Sequence, residues 1–161
     1  MVHVEYGDGS TYDGELKDDK FHGKGTYTYP EGSKYEGEWK NHARHGQGKI
    51  TYLDGTIYKG EWKDNTYDGQ GKYTYSYGDI YTGEFKNGVK HGQGTYTWPN
   101  GSLFVGEFKN GSRHGKGTFT WPDGRKYTGV YKDDKEHGPG TRIHTDGKKE
   151  NVEFRDGELI E

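Results

Sequence analysis

One step, 23 residues long, runs through the chain without insertion. Tyr12, Tyr35, Tyr58, Tyr81, Phe104 and Tyr127 follow it, and so do Gly9, Gly32, Gly55, Gly78, Gly101, Gly124 and Gly147. Three further glycine series keep the same step, from Gly14 to Gly129, Gly23 to Gly138 and Gly25 to Gly140. Of the 29 glycines, only Gly7, Gly88, Gly111 and Gly157 fall outside. Glycine set by position is a structural device, which excludes a low-complexity reading. A period of this size signals units that cannot bury an apolar face alone and do so by stacking on copies of themselves.

Aromatic residues keep the same step. Of 15 Tyr, 6 Phe and 4 Trp, only Phe21, Tyr67 and Tyr77 depart from four repeat positions, exemplified by Tyr35, Trp39, Tyr73 and Tyr75. Mean hydropathy is −1.32 and the apolar fraction 26%, values typical of disorder, yet aromatics reach 16%. The core must therefore be built from rings. Within a unit the period is two. Tyr35, Gly37 and Trp39 share one face and Glu36, Glu38 and Lys40 the other; Gly69, Gly71, Tyr73 and Tyr75 oppose Gln70, Lys72 and Thr74. Such alternation describes strands. Inward glycines would leave seats for rings from the next strand.

Turn signals separate the strands. Asp8-Gly9, Asp54-Gly55, Asn100-Gly101, Asp123-Gly124 and Asp146-Gly147 read as hairpin turns with positive φ at glycine. The opposite connection reads as longer, from Lys86 to His91, with a left-handed residue at Asp19, His42, Asn65, Gly88, Gly111 and Asp134. Val2, Val4, Val152 and Phe154 fall at strand positions of partial units, with valine replacing glycine as in a cap. The expectation is an all-β, elongated, curled single-layer antiparallel sheet of about seven 23-residue hairpins, forming one domain over 1–161.

The unit Tyr35-x-Gly-Glu-Trp39-Lys-x4-His45-Gly-x-Gly48 resembles the MORN repeat, the membrane occupation and recognition nexus motif, over essentially the whole chain. Asp68 replaces histidine, Phe104 tyrosine and Val130 glutamate in their copies. The resemblance implies a curled sheet of hairpins and a scaffold of cytoskeletal, ciliary or membrane-contact assemblies. It also implies phosphoinositide binding in some members, and an aromatic groove gripping a partner segment in others.

Other chemistry finds little footing. Net charge is −3 with no basic block, which offers nucleic acid no attraction. There is no cysteine. The opening MVHVEYGDGS lacks a signal peptide's regions, so a cytoplasmic place is expected. His22, His45, His91, His114 and His137 recur two strands apart, ~10 Å, too far to share a metal. Only His42 beside His45 makes a local pair; the series reads as a hydrogen-bonding closure of the long loop. Glu15, Glu38, Glu61, Glu84 and Glu107 are too widely spaced for paired-carboxylate catalysis and read as a solvated row alternating with lysine. No phosphate-loop pattern is present. No cofactor, metal or catalytic residue is expected.

The ring face is the remaining candidate. A single layer leaves it without a covering sheet, so some of it stays open to a partner. The residues expected to line this groove are Tyr35, Trp39, Tyr52, Tyr58, Trp62, Tyr75, Tyr81, Phe85, Trp98, Phe104, Phe108 and Trp121. The expected occupant is a protein segment such as an amphipathic helix. Homotypic association through the terminal strands is a second route, and phosphoinositide binding at a membrane surface is the alternative function. Arg142 and His144 in ring positions turn the groove polar towards its end. Phe21 and Tyr67 are either partner contacts or rings folded back on the rim.

Overall fold

The structure, a computed structural model, describes residues 1–160. Between a short first strand and a short last one, seven-residue and nine-residue strands alternate: β1 Val2–Glu5, β2 Thr11–Lys17, β3 Lys20–Thr28, β4 Lys34–Lys40, β5 Ala43–Thr51, β6 Ile57–Lys63, β7 Thr66–Thr74, β8 Ile80–Lys86, β9 Val89–Thr97, β10 Leu103–Lys109, β11 Ser112–Thr120, β12 Lys126–Lys132, β13 Lys135–Ile143, β14 Lys149–Arg155 and β15 Glu158–Leu159. They form one open antiparallel sheet of 15 strands in sequence order. Among the described residues there is no helix. The chain divides into two compact units. One comprises Met1–Tyr77 with Phe85–Gly88; the other comprises Gly78–Glu84 and the chain from Val89 onward.

The turn assignments of the sequence reading are inverted. The tight turns are the ones expected to be long. Asn41-His42 (φ 49° and 66°), Asp64-Asn65 (46° and 68°) and Asn87-Gly88 (50° and 82°) each join two strands with both central residues left-handed. That is the type I′ geometry whose twist matches the strands. The Asp-Gly sites lie instead in longer loops. There the Asp54 carboxylate accepts the Thr56 amide at 2.8 Å, and Gly55 turns the chain at φ 90°. Positive φ was read correctly at both ends; loop length was not, because the His-Gly-x-Gly stretch lies inside the long strand.

That stretch is a bulge. In the first unit Gly37 pairs with Gly48 and Trp39 with Arg44, so Glu38 alone opposes His45, Gly46 and Gln47. Gly46 makes the bend at φ 62°. Glu38 holds it from both ends: its carboxylate accepts the Gln47 amide at 2.9 Å, and its carbonyl accepts the Tyr35 hydroxyl at 2.8 Å. Glu15 and Glu61 repeat both bonds. The glutamate series thus braces the bulge backbone, a correction to its reading as a row paired with lysine. Of the histidines expected to close a loop by hydrogen bonding, His22 and His45 have a buried Nδ1 with no hydrogen-bond partner among the described residues. They sit within the long strands, and His137 Nδ1 accepts the Asp156 amide of the following turn at 3.3 Å.

Glycines stand opposite one another across the sheet. Gly14, Gly25, Gly37, Gly48, Gly60 and Gly71 form a paired row in the first unit, with Val2 at its outer end. Gly94, Gly106, Gly117, Gly129 and Gly140 do so in the second, ended by Val152. A ring lies over each hairpin's pair, a tyrosine in every copy but one, where Phe104 covers Gly106 and Gly117. A Cβ on Gly48 would meet Tyr35 Cε2 and Cζ at 2.6 Å. The ring comes from two residues back along the hairpin's own first strand, not from the next strand as the sequence suggested.

Rings then interlock edge to face. In the first unit the order is Tyr12, Trp39, Tyr35, Trp62, Tyr58, Phe85, with centroids 4.9–5.8 Å apart at 81–88°. The second runs Tyr81, Phe108, Phe104, Tyr131, Tyr127, Phe154 at 5.0–5.7 Å and 74–87°. Each such contact adds about 0.5–1.5 kcal/mol beyond burial. All twelve rings are buried. Trp39 and Trp62 also donate Nε1–H to the carbonyls of Gly25 and Gly48, each at 3.1 Å, tying a hairpin to the one before.

Two outcomes follow. Gly48→Ala forces its methyl into the Tyr35 ring and is expected to cost about 3 kcal/mol. Gly7→Ala, with nothing near its Cβ and no positive φ, stays within about 0.5 kcal/mol; urea denaturation of both checks the contrast. Burial also raises the phenols of Tyr35, Tyr58, Tyr67 and Tyr131 well above the usual value. The folded state holds them neutral while the unfolded chain ionises near pH ~10. Their stabilisation is therefore full below that pH and lost as pH rises above it. A titration followed at 295 nm should show these tyrosines ionising only as far-UV circular dichroism collapses. Ionisation of all tyrosines near pH ~10 with the sheet intact would contradict the burial.

Candidate functional site

The ring face has a buried floor and a half-open lip. Of the residues expected to line a groove, Tyr35, Trp39, Tyr58, Trp62, Tyr81, Phe85, Phe104 and Phe108 are buried and form the floor. Tyr52, Tyr75, Trp98 and Trp121 stand half exposed, where the long strands run into the long loops. Sequence reasoning passed over Tyr29, which keeps the same step and the same half-open place. It also passed over Leu53 and Tyr77, 72% and 66% exposed. Their signal was adjacency to the ring series, since each falls within two residues of Tyr52 or Tyr75.

Shallow pockets open between these rings at equivalent repeat positions. In the first unit Phe21, Tyr27, Tyr29, Trp39, His42 and Asn65 line one of about 240 Å³. In the second, Lys90, Tyr96, Trp98, Phe108, Arg113 and Asp134 line one of about 320 Å³. Five of those six positions are the same, three repeats on. A further pocket of about 320 Å³ lies among Trp121, Arg125, Lys126, Arg142, His144 and Phe154, with Tyr127 and Glu136 beneath. Arg142 and His144 do turn this end polar.

One repeat position sets the character of each pocket. It reads Phe21, Arg44 and Tyr67 in the first unit, and Lys90, Arg113 and Glu136 in the second. Phe21 and Tyr67 are rings folded back: each stacks on the tyrosine of its own hairpin, Tyr12 or Tyr58, with centroids 3.8 Å apart. Tyr67 also shares a 2.6 Å hydroxyl bond with Tyr52. Arg44 lays its guanidinium 4.6 Å from the Trp62 centroid and donates to the Asn65 carbonyl. Arg113 does the same over Tyr131, at 5.2 Å, with Asp134 as its acceptor. The Lys90 ammonium lies 4.9–5.8 Å from the rings of Tyr96, Phe108 and Tyr81. Burial pushes its amine down, Asp134 and Asp79 pull it back up, and Arg113 adds to the lowering.

Among the described residues no group of three or more His, Asp or Glu side chains is placed to hold an ion. His42 Nδ1 accepts the Phe21 amide at 3.3 Å, so it is engaged across the hairpins and not with His45. What the face offers is stacked rings at a regular spacing, with Arg44 among them in the first unit and Lys90, Arg113, Arg125 and Arg142 in the second.

Comparisons with known proteins give the family. The MORN repeat profile matches residues 12–34, 35–57, 58–80, 81–103, 104–124 and 127–149, six copies where the sequence count gave about seven. No curated relative matches the sequence. Among solved structures, the chain is similar to the TCP domain of Drosophila melanogaster SAS-4, determined in complex with a proline-rich motif of Ana2. Identity is 14%, with 99% of this chain and 87% of that one covered at a TM-score of 0.48. It is also similar to the TCP10 domain of Danio rerio CPAP, at 15% identity, 99% and 98% coverage and a TM-score of 0.47. With six copies covering most of its length, each a short strand, a tight turn and a bulged long strand, this chain belongs to the MORN repeat family.

Proposed function

We propose that the chain is a non-catalytic scaffold that holds an apolar segment of a partner protein against its ring face, in a cytoplasmic assembly of the cytoskeletal or ciliary kind. The observation that carries this reading is the recurrence of one aromatic pocket at matching repeat positions, Phe21-Tyr27-Tyr29-Trp39 and Lys90-Tyr96-Trp98-Phe108. A catalytic pocket has no physical reason to recur; a face meeting an extended partner has one. Neighbouring hairpins lie ~9.6 Å apart. A helix advances ~10.5 Å in seven residues. An amphipathic helix along the stacking direction of a unit therefore brings an apolar residue to successive lips once per two turns, the helix-in-groove mode.

Energy favours the lip over the floor. The buried rings are already packed, so a partner gains its contact area from Tyr29, Tyr52 and Tyr75 in the first unit, and from Trp98 and Trp121 in the second. Exposed Leu53 and Tyr77 extend the apolar patch beside the first set. Rings of this type are the usual anchors of interfaces because they cover much area at little entropic cost.

The test is affinity capture from native extract, with wild type beside Trp98→Ala/Trp121→Ala and beside Glu36→Ala on the polar face. Both variants alter side chains outside the interlocked row, so near-UV circular dichroism should report an intact fold. The expected result is a set of proteins retained by wild type and Glu36→Ala and lost by the double variant. Retention of the same proteins by all three would remove the ring face from the account.

A further inference from the structure

We infer that the segment taken up by the second unit is acidic, carrying carboxylates beside its apolar anchors that pair with Lys90 and Arg142. This rests on the ring-face reading above and adds the chemistry of the occupant. Two cations on this face rest on rings with no carboxylate in hydrogen-bond or ion-pair contact among the described residues. Lys90 is half buried over three rings, and its ammonium makes no hydrogen bond or ion pair among the described residues, with Asp134 and Asp79 acting on it only through space. Arg142 replaces a ring, lies 5.2 Å from the Phe154 centroid, and its guanidinium likewise makes no such bond or pair. Their cationic neighbours in the same unit are matched: Arg113 with Asp134, and Arg125 with Asp123 at 2.7 Å.

A half-buried cation without an acceptor carries a desolvation cost that a partner carboxylate removes. The lining of the two pockets points the same way. Lys90, Arg113, Arg125, Lys126 and Arg142 stand against Asp134 and Glu136. Nearby Asp79 is occupied by the Tyr96 hydroxyl, and Glu150 by His144 at 3.5 Å. The face is cationic on a chain whose net charge is −3. The equivalent pocket of the first unit has no charged lining residue. Lys90 and Arg142 belong to pockets two repeats apart, ~19 Å. On a helix this corresponds to carboxylates about thirteen residues apart, with the apolar anchors between them.

The experiment pans the full chain against a displayed library of amphipathic helices whose apolar positions are fixed and whose polar positions are random. Enriched peptides should carry Asp or Glu flanking the anchors. Fluorescence anisotropy should then show binding at least about fivefold weaker for Lys90→Met and for Arg142→Gln, with the losses shrinking at high salt. Trp98→Ala should weaken every enriched peptide. Neutral or basic peptides that depend on Trp98 but not on Lys90 or Arg142 would overturn the acidic assignment and leave the ring face standing. Failure to enrich any peptide dependent on Trp98 would overturn both. Phosphatidylserine vesicles form the last arm. If vesicles pellet with wild type but not with Arg142→Gln, and no acidic peptide is selected, the cations serve a lipid surface and the inference falls.

Discussion

A tyrosine ring lying flat on two glycines that face each other across a hairpin is the contact on which the rest depends. Backbone without Cβ lets the ring approach, and there is no room for anything else: a methyl on Gly14, Gly25, Gly37 or Gly48 would run into the ring or the opposing strand. Settled that low, the tyrosine hydroxyl reaches the carbonyl of the glutamate opposite the bulge, three residues on. The bulge sets the register of the long strand and carries the next ring to the tyrosine's edge. One side of a sheet thus becomes a core one ring thick, without a second layer.

Consequences for function come from where that core stops. The interlocked row uses the tyrosine and tryptophan positions of each hairpin. Rings at the Tyr29 and Tyr52 position lie beyond it and stay half open. Across the tight-turn end, the position of Phe21, Arg44 and Lys90 changes chemistry from copy to copy, because the floor ring accepts a stacked ring or a cation equally. A constant floor with a variable lip is a sound basis for a binding scaffold: lip changes alter the partner without disturbing what holds the hairpins together.

Much of this was legible in the sequence. The 23-residue step gave the unit, the two-residue alternation gave the strands, and glycine and ring on one face gave the inside. Three features were hidden. The bulge at His45-Gly46-Gln47 leaves no mark in a two-residue alternation, so the long strand looked like loop and strand, and the tight turn looked long. The role of Glu38 depends on that bulge, since only there does an unpaired amide present itself to a carboxylate. The split of the rings into floor and lip depends on packing depth, which Tyr35 and Tyr52 do not announce by residue type.

The central claim is most directly tested by the α-protons of the paired glycines in a nuclear magnetic resonance spectrum of the whole chain. Ring over glycine predicts that the α-protons of Gly37 and Gly48 move strongly upfield and show cross-peaks to the Tyr35 ring. The same pattern should recur for Gly60 and Gly71 with Tyr58. Unshifted glycine α-protons, with no cross-peak to either ring, would contradict the account.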